Sequence, residues 1–142
     1  MMKKPTLTQT EIAQEFLRGR NCAQCTLGEY AQSLGYDQEE TDRMLACFGG
    51  GMELGQTCGA VVGGLIAIGM ACEDREKAWE LGERFRSQFK DRFGTCMCRE
   101  LLGYDMSQPD QAEQARASGK LVDACPNFVA GALEILDNLL DE

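Results

Sequence analysis

The sequence predicts an all-α fold, a compact bundle of about six helices around a central glycine- and alanine-rich helix. Three observations carry this expectation. Apolar residues recur at three- and four-residue steps in several stretches. Helix-starting and helix-stopping residues fall between those stretches. No convincing β-alternation appears anywhere in the 142 residues. That length suits one domain with a real core, spanning 1–142, with no repeat, low-complexity tract or linker to divide it.

Thr8-Gln9-Thr10-Glu11 has the form of a capping box and opens the first helix. Ile12, Phe16 and Leu17 follow at helical spacing, and Gly19 closes it. Asn21 caps a second helix holding Cys22, Cys25, Leu27, Tyr30, Ala31 and Leu34, which Gly35 ends. Asp37 or Thr41 starts a third, acidic helix with Met44, Leu45 and Phe48 on its apolar side, stopping at Gly49-Gly50-Gly51. The central helix is expected from about Thr57 to Cys72 and holds no charge. It is too short to cross a bilayer. Gly59, Ala60, Gly63, Gly64 and Ala67 leave part of its surface without bulk, so other backbones, a cofactor or a copy of the same helix in a homodimer can approach.

The next helix is the clearest amphipathic one. Ala78, Leu81, Gly82, Phe85, Phe89 and Phe93 form its stripe, and Trp79 is expected to pack in the core. Gly94 ends it. Cys96-Met97-Cys98 leads into a short helix, 99–102, stopped by Gly103. The polar stretch 104–120 reads as the most exposed and mobile part, with a weak helix over Gln111–Ala117. The last helix is expected to start at Cys125-Pro126.

Charge and composition exclude several functions. A net charge of −9 argues against nucleic acid, which needs clustered Lys and Arg. Residues 1–10 lack the apolar core of a signal peptide, so a reducing cytoplasm is expected, and there eight cysteines are not four structural disulfides. No histidine is present. That removes Cys₂His₂ zinc, histidine-ligated haem and any Cys–His or Ser–His catalytic pair. A site in this chain is therefore expected to be built from sulfur.

Cys22, Cys58, Cys98 and Cys125 each fall at or near an expected helix N-terminus. Free N–H groups and the positive dipole end stabilise thiolate there. Four such ends brought together would suit an anionic metal–thiolate cluster. Cys72 and Cys47 read as small buried side chains. Glu53 and Arg99 are weaker candidates, for a proton relay and a balancing charge.

The ordered pieces Asn21-Cys22-Ala23-Gln24, Phe48-Gly49-Gly50-Gly51-Met52, Cys58-Gly59-Ala60-Val61-Val62-Gly63-Gly64, Cys98-Arg99-Glu100-Leu101-Leu102-Gly103 and Cys125-Pro126 carry a resemblance. The chain resembles the redox-active proteins named for their C–GCAxxG–C–C cysteine pattern. Their four characteristic cysteines map onto Cys22, Cys58, Cys98 and Cys125. The "GCA" of the name is met here only as Thr57-Cys58-Gly59-Ala60. The resemblance implies a redox role in mainly anaerobic prokaryotes. A related domain in split-Soret-type cytochromes is associated with an iron–sulfur centre.

Three functions are then open. The favoured one is an iron–sulfur cluster on Cys22, Cys58, Cys98 and Cys125, [2Fe–2S] before [4Fe–4S], for one-electron transfer or redox sensing with an unidentified partner protein. Gly49, Gly50, Gly51 and Gly59 are its candidate cofactor-facing glycines, through backbone N–H groups. The second is thiol–disulfide exchange at Cys22-Ala23-Gln24-Cys25, with Cys96 and Cys98 as a further pair. The third is structural zinc.

Overall fold

The computed structural model describes residues 7–141, so the signal-peptide reading of the first residues lies largely outside them. The described residues are mostly helical and contain no strand. They form nine helical segments rather than six. These are α1 (Gln9–Leu17), α2 (Cys22–Ala31), α3 (Gln38–Met44), a wide turn over Gly51–Gly55, α4 (Gly59–Ala71), α5 (Arg75–Phe93), α6 (Cys98–Leu102), α7 (Pro109–Ala117) and α8 (Lys120–Leu140).

The expected caps form. Thr8 and Glu11 make a reciprocal capping box on α1, and Asn21 makes another with Gln24 on α2. Each satisfies backbone donors that a helix start leaves unpaired. Asp74 caps α5 by accepting from the Glu76 N–H at 3.1 Å.

α4 packs against α2, α5 and α8. Its small residues let α2 come close: a Cβ built on Gly63 would stand 2.8 Å from the Ala23 carbonyl oxygen. The buried Tyr30 ties α2 to α8 by donating its hydroxyl proton to the Asp137 carboxylate. Phe85, Phe89, Phe93 and Phe128 form an aromatic ladder between α5 and α8, with successive ring centroids 6.4, 4.8 and 5.1 Å apart. A second, smaller buried cluster holds Cys98, Leu102, Met106, Ala112, Ala115 and Cys125.

Several expectations are corrected. α8 begins at Lys120, not at Cys125-Pro126, and Pro126 sits inside it. Proline there withholds the N–H that the Val122 carbonyl would accept. The helix nonetheless extends upstream because Leu121 and Ala124 pack on the second cluster. Residues 109–117 form a full helix with Pro109 in its first turn. Ala112 and Ala115 are buried there, apolar positions whose small side chains barely register in a periodicity. Trp79 is 63% exposed, because the inward stripe of α5 runs through Leu81, Gly82, Phe85 and Phe89 and leaves position 79 turned outward. Met44 is also exposed, while its neighbour Leu45 is buried. Cys47 is exposed and Cys72 half-buried, so neither is the small core residue expected; that place belongs to Cys25.

Candidate functional site

Cys22, Cys58, Cys98 and Cys125, the four cysteines selected from sequence, all line one cavity of about 480 Å³. Each comes from a different element, and all four thiols are buried and free. Cys22 is the first residue of α2, Cys58 the N-cap of α4 and Cys98 the first residue of α6. Cys125 is the exception, within the second turn of α8. The helix-end argument therefore holds for three of the four.

The backbone that positions Cys58 and Cys98 is a short zipper. Thr57 and Met97 form an isolated antiparallel bridge. Around it the Cys58 N–H donates to the Cys96 carbonyl at 2.8 Å, and the Cys98 N–H donates to Gln56 at 2.6 Å. Two residue pairs give too little alternation to be seen in a sequence. Cys22 is set from the other side: Gln24 reaches back to the Asn21 N–H at 2.8 Å, and the Asn21 amide donates to the Leu45 carbonyl at 3.0 Å.

Gly49, Gly50 and Gly59 line the same cavity. Gly51 does not; it is buried beside it, where an added Cβ would fall 2.8 Å from the Cys98 Cβ. At Gly59 an added Cβ would fall 2.3 Å from the Cys22 sulfur. The glycines thus let backbone reach the thiols.

The chain between them turns the uncommon way. Gly50, Gly51, Met52 and Glu53 all have φ near +60°. Glycine adopts this freely, whereas Met52 and Glu53 carry a cost of roughly 1–2 kcal/mol each. Met52→Gly is therefore expected to raise unfolding stability by about 1 kcal/mol, read from a denaturant midpoint. Such strain tends to persist where a functional site demands it.

The thiols are not equivalent. The Cys58 S–H donating to it holds the Cys22 thiol down at about 7, helped by the N–H groups of Gly50, Gly59 and Cys22 itself, and opposed by burial. Cys58 is correspondingly pushed well up, as the donor of that shared hydrogen bond and by burial. Burial pushes Cys98 up to about 12 and raises Cys125, with the neighbouring Cys22 charge adding to both. Each of the four responds electrostatically to at least one of the others.

Cys25, the second cysteine of the CxxC, does not line the cavity, and burial pushes its thiol up to about 12. Cys96 does not line the cavity either; it packs against the main core with its thiol 3.8 Å from the Arg86 carbonyl. Among the described residues, no three His, Cys, Asp or Glu side chains close on the position of a single metal ion.

Sequence reasoning missed Arg20. It lines the cavity and pairs with Asp42 at 2.8 Å and Glu15 at 3.9 Å, while its Nε is buried with no hydrogen-bond partner. Its one trace in the sequence is Gly28, where any Cβ would fall 2.6 Å from the guanidinium. Glu53 and Arg116 also reach the cavity, whereas Arg99 is exposed and does not.

The family model described as "Putative redox-active protein (C_GCAxxG_C_C)" matches residues 20–139, which include all four cavity cysteines. No curated protein and no solved structure gives a significant match.

Proposed function

This chain belongs to the C_GCAxxG_C_C family of redox-active proteins, and we propose that its four-thiol cavity holds an iron–sulfur cluster for one-electron transfer or redox sensing. One observation carries the reading: four cysteines from four separate elements line one buried cavity in a chain without histidine. The donor set fits, since four thiolates serve either common cluster type.

The grouping of the thiols favours [2Fe–2S]. Cys22 and Cys58 touch each other and belong to the main core, while Cys98 and Cys125 belong to the second cluster. A two-by-two division matches two irons with two thiolates each. A single zinc ion would need all its ligands around one point, and among the described residues no three such side chains close on one. When bound, such a cluster supplies one-electron exchange at a potential tuned by nearby hydrogen bonds and burial. The chain's part is to hold the thiolates, direct the Gly50 and Gly59 N–H groups at the Cys22 sulfur, and keep water out with apolar walls such as Phe16, Leu102 and Phe128.

Anaerobic purification followed by iron, sulfide and zinc analysis tests this. Coloured protein with two irons and two acid-labile sulfides per chain supports a [2Fe–2S] site. Colourless, metal-free protein overturns the cluster.

A second reading has its own support in the hydrogen bond shared by Cys22 and Cys58, a thiolate beside a thiol. Exchange with a substrate disulfide, which the Cys22 thiolate attacks and which leaves as two thiols once Cys58 resolves the mixed disulfide, would join Cys22 to Cys58 and make the protein a dithiol oxidoreductase. In metal-free protein, iodoacetamide is expected to modify Cys22 before any other cavity thiol. Its rate should rise with pH to half its plateau near pH 7, where Cys22 is half thiolate, and peptide mass mapping reads the position. Under either reading the thiols need a reducing compartment, such as the cytoplasm. Among the described residues, no helix is long and apolar enough to cross a membrane.

A further inference from the structure

The wide turn over Gly51–Gly55 is tied to the thiols on both sides. The Gly50 N–H donates to the Cys22 sulfur, and the Gln56 carbonyl accepts from the Cys98 N–H. Gly51 and Gly55 are buried. An added Cβ would fall 2.8 Å from the Cys98 Cβ at the first and 2.7 Å from the Asp105 Oδ1 at the second. Between them Met52, Glu53 and Leu54 are all exposed. The turn therefore has two anchored feet and a projecting tip that reads apolar, acidic, apolar.

Nothing inside the chain offsets the cost of that tip. Met52 and Glu53 both hold the left-handed backbone that side chains resist. Met52 and Leu54 pack on neither buried cluster. Among the described residues, Glu53 makes no hydrogen bond or ion pair. Glycine at position 52 would relieve strain there and lose no core packing. Strain held without an internal gain points to function, and side chains that face outward serve contacts outside the chain.

Charge sets the kind of partner. Asp105 and Arg99 both flank Gly55 and offset each other. At the cavity, Arg20 is offset by Asp42 and Glu15, and one anion, Glu53, balances one cation, Arg116. Local charge is thus close to balanced, so the net −9 of the whole chain decides which partner is drawn in. An acidic partner, a second copy included, is repelled, and a basic one is attracted. We propose that the Met52-Glu53-Leu54 tip is the docking point for a basic redox protein that exchanges one electron with the site. This rests on the cluster reading. In the exchange the reduced cluster loses one electron, the partner's centre gains it, and no atom moves. A small contact with an apolar middle suits so brief an encounter.

Stopped-flow mixing of the reduced full chain, purified without oxygen, with ferric cytochrome c, a basic haem protein, tests it. Haem reduction is expected to be second order and to slow at least tenfold between about 0.01 M and 1 M salt. Met52→Gly and, separately, Leu54→Ser should each slow it at least fivefold at low salt, with iron content unchanged. Ferricyanide, a small oxidant that needs no docking surface, should react with both variants at the wild-type rate. Met52→Gly should lose rate while gaining stability, a combination that a merely structural role does not produce. Unchanged cytochrome rates in both variants overturn the proposal, as do rates that rise with salt. Equal slowing toward ferricyanide overturns it too, because the cluster and not the docking would have changed. A chain that carries no iron overturns the cluster reading and this proposal with it, and is recognised before any rate is measured.

Discussion

Purified without oxygen, Cys58→Ser protein is expected to be colourless, with iron and acid-labile sulfide at background, while Cys25→Ser retains both at wild-type levels. The contrast follows from where the two thiols sit. Cys58 is the N-cap of α4, lines the cavity and touches the Cys22 thiol. Cys25 lies one turn into α2, away from the cavity. Serine is well suited to an N-cap, so Cys58→Ser keeps the start of α4 and loses sulfur alone. Helical circular dichroism should therefore be unchanged, which separates loss of the site from loss of the fold. Loss of iron in both variants would move the site to the CxxC pair. Retention in Cys58→Ser would sink the four-thiol centre.

Local chemistry made much of this molecule legible before its structure was known. Thr8 with Glu11 and Asn21 with Gln24 are short-range devices, and both formed where the residues place them. The four cavity cysteines were separable from the other four by helix position and by resemblance. Yet helix position succeeded for Cys125 on a mistaken premise. Pro126 looks like a first-turn proline, and only the long-range packing of Leu121 and Ala124 carries the helix past it. Arg20 was invisible for a related reason. Its partners Asp42 and Glu15 are spread through the sequence, and no spacing rule joins them. The left-handed run into Met52 and Glu53 was hidden as well, since glycine announces such a turn but not how far the next residues will follow.

The close approach of the α2 and α4 backbones behind the site gives the other large effect: Gly63→Ala is expected to destabilise the fold by about 1–3 kcal/mol. Alanine is the better helix former by about 1 kcal/mol, so propensity alone predicts the opposite sign. Packing decides it. The new Cβ would sit 2.8 Å from the Ala23 carbonyl oxygen and 3.1 Å from the Thr26 Cβ. The nearer of these is main chain inside α2, which cannot rotate away as a side-chain tip can. α2 must instead back off from α4, and Cys22 and Cys58 stand at the starts of those two helices. Gly63→Ala should therefore lower the melting temperature by several degrees and also weaken retention of iron. Gly64→Ala separates the two consequences. Its Cβ would meet the Phe85 ring at 2.3 Å, so the strain falls on α5 and the aromatic ladder, not on the thiols. It is expected to melt early while keeping its iron. Equal iron loss in both variants would show that the site responds to stability in general. A neutral Gly63→Ala would mean that α2 and α4 lie further apart than 2.8 Å implies.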